Sequence, residues 1–364
     1  MTTALEFYNE LKKELSFLDE NKSIKDEKIQ LLEPQKLMLQ EFFVTVGKRV
    51  EGKVEEKKIR DLIVDVLLQP NIENGKVYEA LVYAWLEKNG VHYKLQQHIN
   101  KAECFKEKDQ GYDADGIIEE NDIVFDVKQF GITLPHFETL RKKIQAKLPE
   151  GYYLTISGVR NISTKDLKRA FLEKIDDLAE CIMEERNKTY DDYLYRDEKS
   201  DINFRAWKLR EKSVFSTISE FDPYEWAENN QFYFMYHASQ FCINRPYILF
   251  CPYDKCLAPI FSFDSEESTS ISLRALCRRI FMNLDKMGEK KVSEFDGKAR
   301  NDISISVAVK KISAIAFIDV SENQTNRMFV FENPNADNKI PKYQMNEIFR
   351  NKNAWFDDFQ HDNY

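Results

Sequence analysis

The chain has 364 residues, with 53 Lys or Arg against 62 Asp or Glu and a formal net charge of -9 at pH 7. That length suits two or three modest domains or one core domain with an appended lobe, and the acidic balance excludes a protein that coats nucleic acid by bulk charge, so any such surface must be local. Six cysteines without a dense framework, a start that runs from Met1 to Phe7 into charged residues, and no apolar run of membrane-spanning length lead us to expect a cytoplasmic protein with no membrane contact.

Residues 1 to about 70 read as an all-helical N-terminal lobe. Leu5, Leu11, Leu15 and Leu18 recur at helical spacing, followed by Leu37, Met38, Phe42, Phe43 and Val46, then Ile59, Leu62, Ile63, Val66 and Leu67. Pro34 suits a helix start and Gln69-Pro70-Asn71 a stop. The lobe carries no chemical motif. From residue 71 to 364 helices and short strands alternate, which predicts α/β layering. The first element there, Asn74 to Leu86, is apolar almost all round and should be a buried helix. Glu79 interrupts it beside Val82, Tyr83 and Leu86, and a carboxylate there needs a cation or a basic partner. A salt bridge at the core edge and a metal-ligand role both remain open for it.

The most informative stretch is Gly111 to Gln129. Gly111–Ile118 and Ile123–Gln129 read as two short strands joined by the polar turn Glu119-Glu120-Asn121-Asp122. Side chains alternate faces along a strand, so Asp126 and Lys128 share a face. A turn around Glu120-Asn121 opposes Ile118 to Ile123 and Asp115 to Asp126, bringing two carboxylates to roughly 5 Å between Cβ atoms. Facing like charges are unfavourable unless a divalent cation neutralises them. Two carboxylates with an adjacent ammonium are what metal-assisted phosphodiester hydrolysis requires. If the register slips by two, Asp113 takes the place of Asp115.

Beyond the hairpin, Pro135 to Leu148 reads as a helix bearing Arg141, Lys142, Lys143 and Lys147, Tyr152–Ser157 as a strand, and Thr164 to Asn187 as a long polar helix with Lys165, Lys168 and Arg169 following Arg160. The first basic cluster would position phosphates of a nucleic acid without reading its sequence. Residues 188–203 read as a loop or insertion. Strands are expected at Phe204–Lys208, Pro246–Cys251, Ala314–Asp319 and Met328–Phe331, and helices near Phe232–Phe241 and Ser272–Leu284. Arg274, Arg278 and Arg279 form a second basic cluster suited to salt bridges. His237, Cys242, Cys251 and Cys256 have a weak zinc-like spacing, and buried structural thiols are the better reading. Trp355, Phe356 and Phe359 should dock on the protein's own body.

With Glu79, Asp115 and Asp126-Val127-Lys128 in this order, Gly75 to Gln129 resembles the PD-(D/E)XK nuclease superfamily. Its pattern is an Asp opening one hairpin strand and (Asp/Glu)-x-Lys on the next. The tripeptide alone is uninformative, since it recurs at Asp26-Glu27-Lys28, Asp166-Leu167-Lys168, Asp197-Glu198-Lys199 and Asp296-Gly297-Lys298. Only Asp126 ends an apolar strand preceded at hairpin distance by a second acid. Arg245–Phe250, Leu273–Arg279 and Asn333–Ala336 resemble, more loosely, segments of uncharacterised bacterial proteins of this fold.

The resemblance implies a restriction-endonuclease-like mixed central sheet flanked by helices, with the N-terminal helical lobe added and an α/β C-terminal extension. It implies Mg2+- or Mn2+-dependent cleavage of DNA, by an endonuclease rather than an exonuclease, in prokaryotic anti-phage defence or restriction. Asp115, Asp126 and Glu79 would hold the metal, with Asp113 as the alternate. Lys128 would orient or deprotonate the attacking water, and Gln129 would position Lys128 or a phosphate oxygen. A partner subunit or inhibitor and a homo-oligomer are compatible with it. The alternative is a catalytically inactive relative used as a nucleic-acid-binding or assembly module, against which the retained acids and lysine argue.

Overall fold

The computed structural model describes residues 3–18, 24, 31, 33–50, 57–70, 75–105, 111–128, 144–145, 152–157, 180, 192–197, 202–208, 223–253, 266–293, 303–320, 328–349, 354–360 and 362. Helix α1 (Ala4–Lys12) opens on a capping box, in which Thr3 and Glu6 satisfy each other's backbone amides at 2.8 and 3.2 Å. Helices α2 (Glu33–Val50), α3 (Lys57–Leu68) and α4 (Gly75–Lys88) follow. Nine of the residues of α4, from Val77 to Leu86, are buried. At about 1.5–3 kcal/mol for each large apolar side chain, that burial outweighs the cost of one carboxylate on the same helix.

Two compact units make up the chain: Met1–Phe130 with Phe232–Asp254 and Cys277–Tyr364, and Gly131–Gln231 with Lys255–Leu276. The division therefore does not run at residue 70. Helices α1 to α3 are helical as expected, and they share one hydrophobic core with α4 through residues such as Phe7, Phe43, Ile63, Trp85, Phe125 and Phe250.

Ten strands are described: β1 (Tyr93–Ile99), β2 (Tyr112–Ile118), β3 (Ile123–Val127), β4 (Tyr152–Ser157), β5 (Asp192–Asp197), β6 (Ile202–Lys208), β7 (Tyr247–Tyr253), β8 (Ala314–Asp319), β9 (Met328–Glu332) and β10 (Ala354–Asp357). The first unit is built on a seven-stranded mixed sheet of order β1-β2-β3-β7-β8-β9-β10. Antiparallel pairing joins β1 to β2, β2 to β3 and β8 to β9, whereas β3–β7, β7–β8 and β9–β10 are parallel. Strand β3 is buried along its whole length, as a central strand covered on both faces should be. Its Ile123, Phe125 and Val127 enter the core shared with α4, and alternation sends Val124, Asp126 and Lys128 to the opposite face. The second unit contains the antiparallel sheet β4-β6-β5.

The other described helices are α5 (Pro223–Asn230), α6 (Glu266–Arg278), α7 (Ile305–Lys311) and α8 (Lys342–Ile348), making eight α-helices among the described residues. The protein is thus a mixed α/β fold. No helix of the described residues is long and apolar enough to cross a membrane.

Strands expected at 152–157, 204–208, 246–251, 314–319 and 328–331 are present within a residue or two. Two expectations are corrected. Residues 188–203 contain strand β5 and the start of β6 rather than a loop, because Tyr193, Leu194 and Tyr195 have strong strand preference despite the charges around them. The helix near 232–241 is a 3-10 segment, Phe234–Gln240. The expected helix ending at Leu284 is α6 continued by a π-helical turn over Arg279–Leu284, where Asn335 bonds the Phe281 carbonyl at 3.1 Å. The aromatic tail docks as expected: β10 joins the sheet, and Phe359 is buried against Phe331 and Phe281.

Candidate active site

Two glycines shape the hairpin. Gly111 has φ +64°, and a Cβ there would run into the Ile99 carbonyl oxygen, so only glycine lets β2 begin at this angle. At Gly116 a Cβ would meet the Lys94 carbonyl oxygen at 2.7 Å and press still closer on the Phe125 ring. The turn of Glu119–Asn121 closes on Asp122 in the left-handed region, φ 49°, a conformation Asp tolerates. The resulting register is Ile118↔Ile123, Ile117↔Val124 and Gly116↔Phe125.

One step further along the same register, Asp115 and Asp126 meet through backbone-to-side-chain bonds instead of a backbone ladder. The Asp115 amide donates to Asp126 Oδ1 at 3.1 Å, and the Val127 amide donates to Asp115 Oδ2 at 2.6 Å. Asp126 is 2% exposed. Its Oδ2 accepts the Tyr247 hydroxyl at 2.6 Å and lies 3.6 Å from Lys128 Nζ. A phenol bonding an ionised carboxylate at this length is a strong, charge-assisted interaction. Tyr247 is wholly buried, and burial with the Asp126 charge raises its pKa, so the phenol stays a donor. On the helix side, the Tyr83 hydroxyl holds the Asp115 carbonyl at 2.8 Å.

Burial, then the charges of Asp126 and Glu79, push the Asp115 carboxyl up to about 7, against the pull of Lys128 and of the Val127 amide. Burial likewise raises Glu79, although Lys76 Nζ holds it at 2.7 and 2.9 Å and Lys128 adds positive charge. Three acids thus share two lysines at the end of the hairpin, Glu79 bonded to Lys76 and Asp126 beside Lys128. Among the described residues, however, no group of three or more His, Cys, Asp and Glu side chains has metal-holding geometry.

The structure brings Asp115, Asp126 and Lys128 together and puts Glu79 within electrostatic reach of all three. Asp113 does not join them; it is exposed and pairs across β1–β2 with His98 Nδ1 at 3.0 Å. Gln129, Arg141, Lys142, Lys143 and Lys147 lie outside the described residues. Cys242 and Cys251 are buried free thiols, in keeping with structural packing. Three participants were missed from sequence. Tyr83 stood there only as a neighbour of Glu79 on a buried helix and Tyr247 only as part of an expected strand, and Gln240, which accepts from Lys128 Nζ at 3.3 Å, carried no motif. Comparison with known proteins finds no matching family model, no matching curated protein and no matching solved structure.

Proposed function

We propose that this protein is a Mg2+- or Mn2+-dependent nuclease that hydrolyses DNA phosphodiester bonds, with a restriction-endonuclease-like core. The observation that carries the reading is the mutually bonded pair Asp115 and Asp126 with Lys128 3.6 Å from Asp126. Two carboxylates confined together in a buried place favour a cation as their partner, and an all-oxygen donor set suits the hard ions Mg2+ and Mn2+. Carboxylates have about four lone-pair sites each, so the internal bonds leave capacity for a metal. Asp115 and Asp126 would hold it, with Glu79 joining on release from Lys76. When bound, the ion supplies charge to polarise the scissile phosphate and lowers the pKa of water. Lys128, fixed between Asp126 and Gln240, presents its remaining proton to the phosphate and offsets charge as the phosphorane forms. Tyr247 keeps Asp126 oriented, and Val127 does the same for Asp115.

The resemblance of Gly75 to Gln129 to PD-(D/E)XK nucleases supports the same reading and extends it to an endonuclease of prokaryotic anti-phage defence or restriction, acting in the cytoplasm; the free thiols Cys104, Cys242, Cys251 and Cys277 agree with a reducing compartment. A second reading, an inactive relative that binds nucleic acid or assembles with a partner, draws on the internal bonds that already engage both acids.

Incubating purified protein with supercoiled, linear and single-stranded DNA, with and without Mg2+ or Mn2+, separates the two. The nuclease reading expects cation-dependent nicking or cutting that Asp126→Ala and Lys128→Ala each abolish while remaining folded. Cation-dependent cleavage that survives either substitution would remove the assignment, and DNA binding without cleavage would favour the inactive module.

A further inference from the structure

We propose that His237 is a further catalytic residue of this site, accepting a hydrogen bond from the attacking water, and that Gln240 is the positioning residue of Lys128. This rests on the nuclease reading of the Asp115–Asp126 pair.

The chemistry asks for such a group. Hydrolysis requires an acceptor for the water's proton, and a lysine ammonium has three donors and no acceptor. Asp115 and Asp126 would be turned toward the cation, with their other lone pairs occupied by the Val127 amide, the Asp115 amide and the Tyr247 hydroxyl. An acceptor on the Lys128 side must therefore come from another element.

The 3-10 segment Phe234–Gln240 is that element. Side chains three apart on a 3-10 helix eclipse one another, so His237 stands on the same edge as Gln240, and Gln240 Oε1 takes a bond from Lys128 Nζ at 3.3 Å. The segment is firmly seated. Phe234, Met235, Ala238 and Phe241 are buried, and Phe241 packs on the Tyr247 ring with centroids 5.3 Å apart. Just beyond it the backbone of Cys242 pairs with that of Cys104 as an isolated antiparallel β-bridge, the Ile243 amide bonds the Glu103 carbonyl at 2.9 Å, and Arg245 ties Glu103 to Asp122 at the hairpin turn. The turn that carries His237 and the hairpin that carries the acids are thereby fixed to each other.

Unlike Phe234, Met235 and Ala238, His237 keeps an exposed surface that solvent water can reach. Its ring is within electrostatic reach of both Lys128 and Asp126. Desolvation by the surrounding walls, and after it the Lys128 ammonium, push its pKa down to about 4. At neutral pH the imidazole is uncharged, with one nitrogen free to accept. The weak zinc-like spacing of His237 and Cys242 thus has a different meaning: the cysteine packs, and the histidine stands on the edge that Gln240 shares with Lys128.

The test uses the full chain with Mn2+ and plasmid DNA. His237→Ala should lower kcat by about a hundredfold, the low end for a proton-transfer group, with little change in KM. Added imidazole should restore part of that loss, which repair of a merely structural defect would not. The Mn2+-induced rise in melting temperature should persist, because His237 is not assigned to the metal. Gln240→Leu should also reduce cleavage, without rescue by imidazole, and Gln240→Glu, which keeps an acceptor for Lys128, should retain most of it. Wild-type rates in His237→Ala, or a loss that imidazole does not relieve, would overturn the assignment of His237 and leave the nuclease reading standing. A Gln240→Leu variant as active as wild type would overturn the positioning role. Absence of cleavage by the wild type would remove both this inference and the reading beneath it.

Discussion

The carboxylate of Asp126 accepts the backbone amide of Asp115, and the amide immediately after Asp126 returns a bond to the carboxylate of Asp115. Strands β2 and β3 part at this point, β2 continuing along β1 and β3 along β7, so the two side chains fill the place of the missing backbone ladder. Like charges are tolerated there because each acid is tethered by an N–H donor. The tether leaves an unrelieved electrostatic cost, and that cost is measurable.

Asp115 ordinarily titrates near pH 4 in an unfolded chain, whereas burial and the charges of Asp126 and Glu79 raise it to about 7 in the fold. The folded protein binds this proton more tightly than the unfolded chain does. Stabilisation from the protonated acid is therefore complete below about pH 4 and is lost as the pH rises through about 7. Asp115→Asn, which cannot ionise, should match wild type near about pH 3 and exceed it near about pH 8 by an amount on the order of a few kcal/mol. Urea unfolding of both proteins without divalent ions provides the measurement. An unchanged difference at the two pH values would mean that folding leaves the Asp115 carboxyl unshifted.

A cation that binds only the folded site reverses this penalty. With Mn2+ at a hundredfold excess over its dissociation constant, stability should rise by about 2.7 kcal/mol and the melting temperature with it. Asp115→Ala and Asp126→Ala should each lose the shift, and Asp113→Ala should keep it, since Asp113 is turned to solvent beside His98. Because binding displaces the Asp115 proton, affinity should weaken below about pH 7. Thermal melts of the four proteins decide the matter, and loss of the shift in Asp113→Ala alone would move the ligand.

Local pattern carried the hairpin and not its surroundings. The alternation of β2 and β3 and the polar turn were enough to bring Asp115 opposite Asp126, because register over so short a connection is set by the apolar residues on one face. The groups that hold those acids come from far away in the chain: Tyr247 is 121 residues from Asp126, and Gln240 is 112 from Lys128. Nothing local in Arg245–Phe250 announces that Tyr247 will lie beside β3, since parallel pairing of β7 is a tertiary outcome. Strand β1, with Lys94, Gln96, Gln97 and His98 among its residues, is too polar to stand out, and β10 was read as a docking tail without strand pairing.

The basic residues Arg141, Lys142, Lys143 and Lys147 of the helix expected at 135–148 lie outside the described residues, and their role can be measured directly. Every duplex phosphate that a variant no longer neutralises should flatten the log–log salt dependence of DNA affinity by about 0.9. Lys142→Glu with Lys143→Glu should weaken binding to all sequences and reduce that slope. Reversal of Arg278 should do less, because its guanidinium already pairs with Asp362 at 2.7 Å. Salt titrations in Ca2+, a non-cleaving stand-in for the cation, give both slopes. Equal slopes for wild type and the Lys142/Lys143 variant would send the search for the DNA path to the N-terminal helices.

Tyr247→Phe isolates the support of the acidic pair from the pair itself. The substitution keeps the ring that packs on Phe241 and removes the hydroxyl that holds Asp126 Oδ2 at 2.6 Å. A buried carboxylate deprived of a charge-assisted bond should cost the apo protein about 1.5–3 kcal/mol. A metal ligand deprived of the group that orients it typically loses about 10- to 100-fold in affinity or activity. Tyr247→Phe should therefore lower both the melting temperature and the affinity for Mn2+, and cleavage should fall with the affinity and recover partly at high Mn2+. Tyr83→Phe, which frees only the Asp115 carbonyl, should have the smaller effect on metal binding. Calorimetric titration of Mn2+ into the two variants distinguishes them, and equal affinities in wild type and Tyr247→Phe would show that the phenol supports the fold without governing the site.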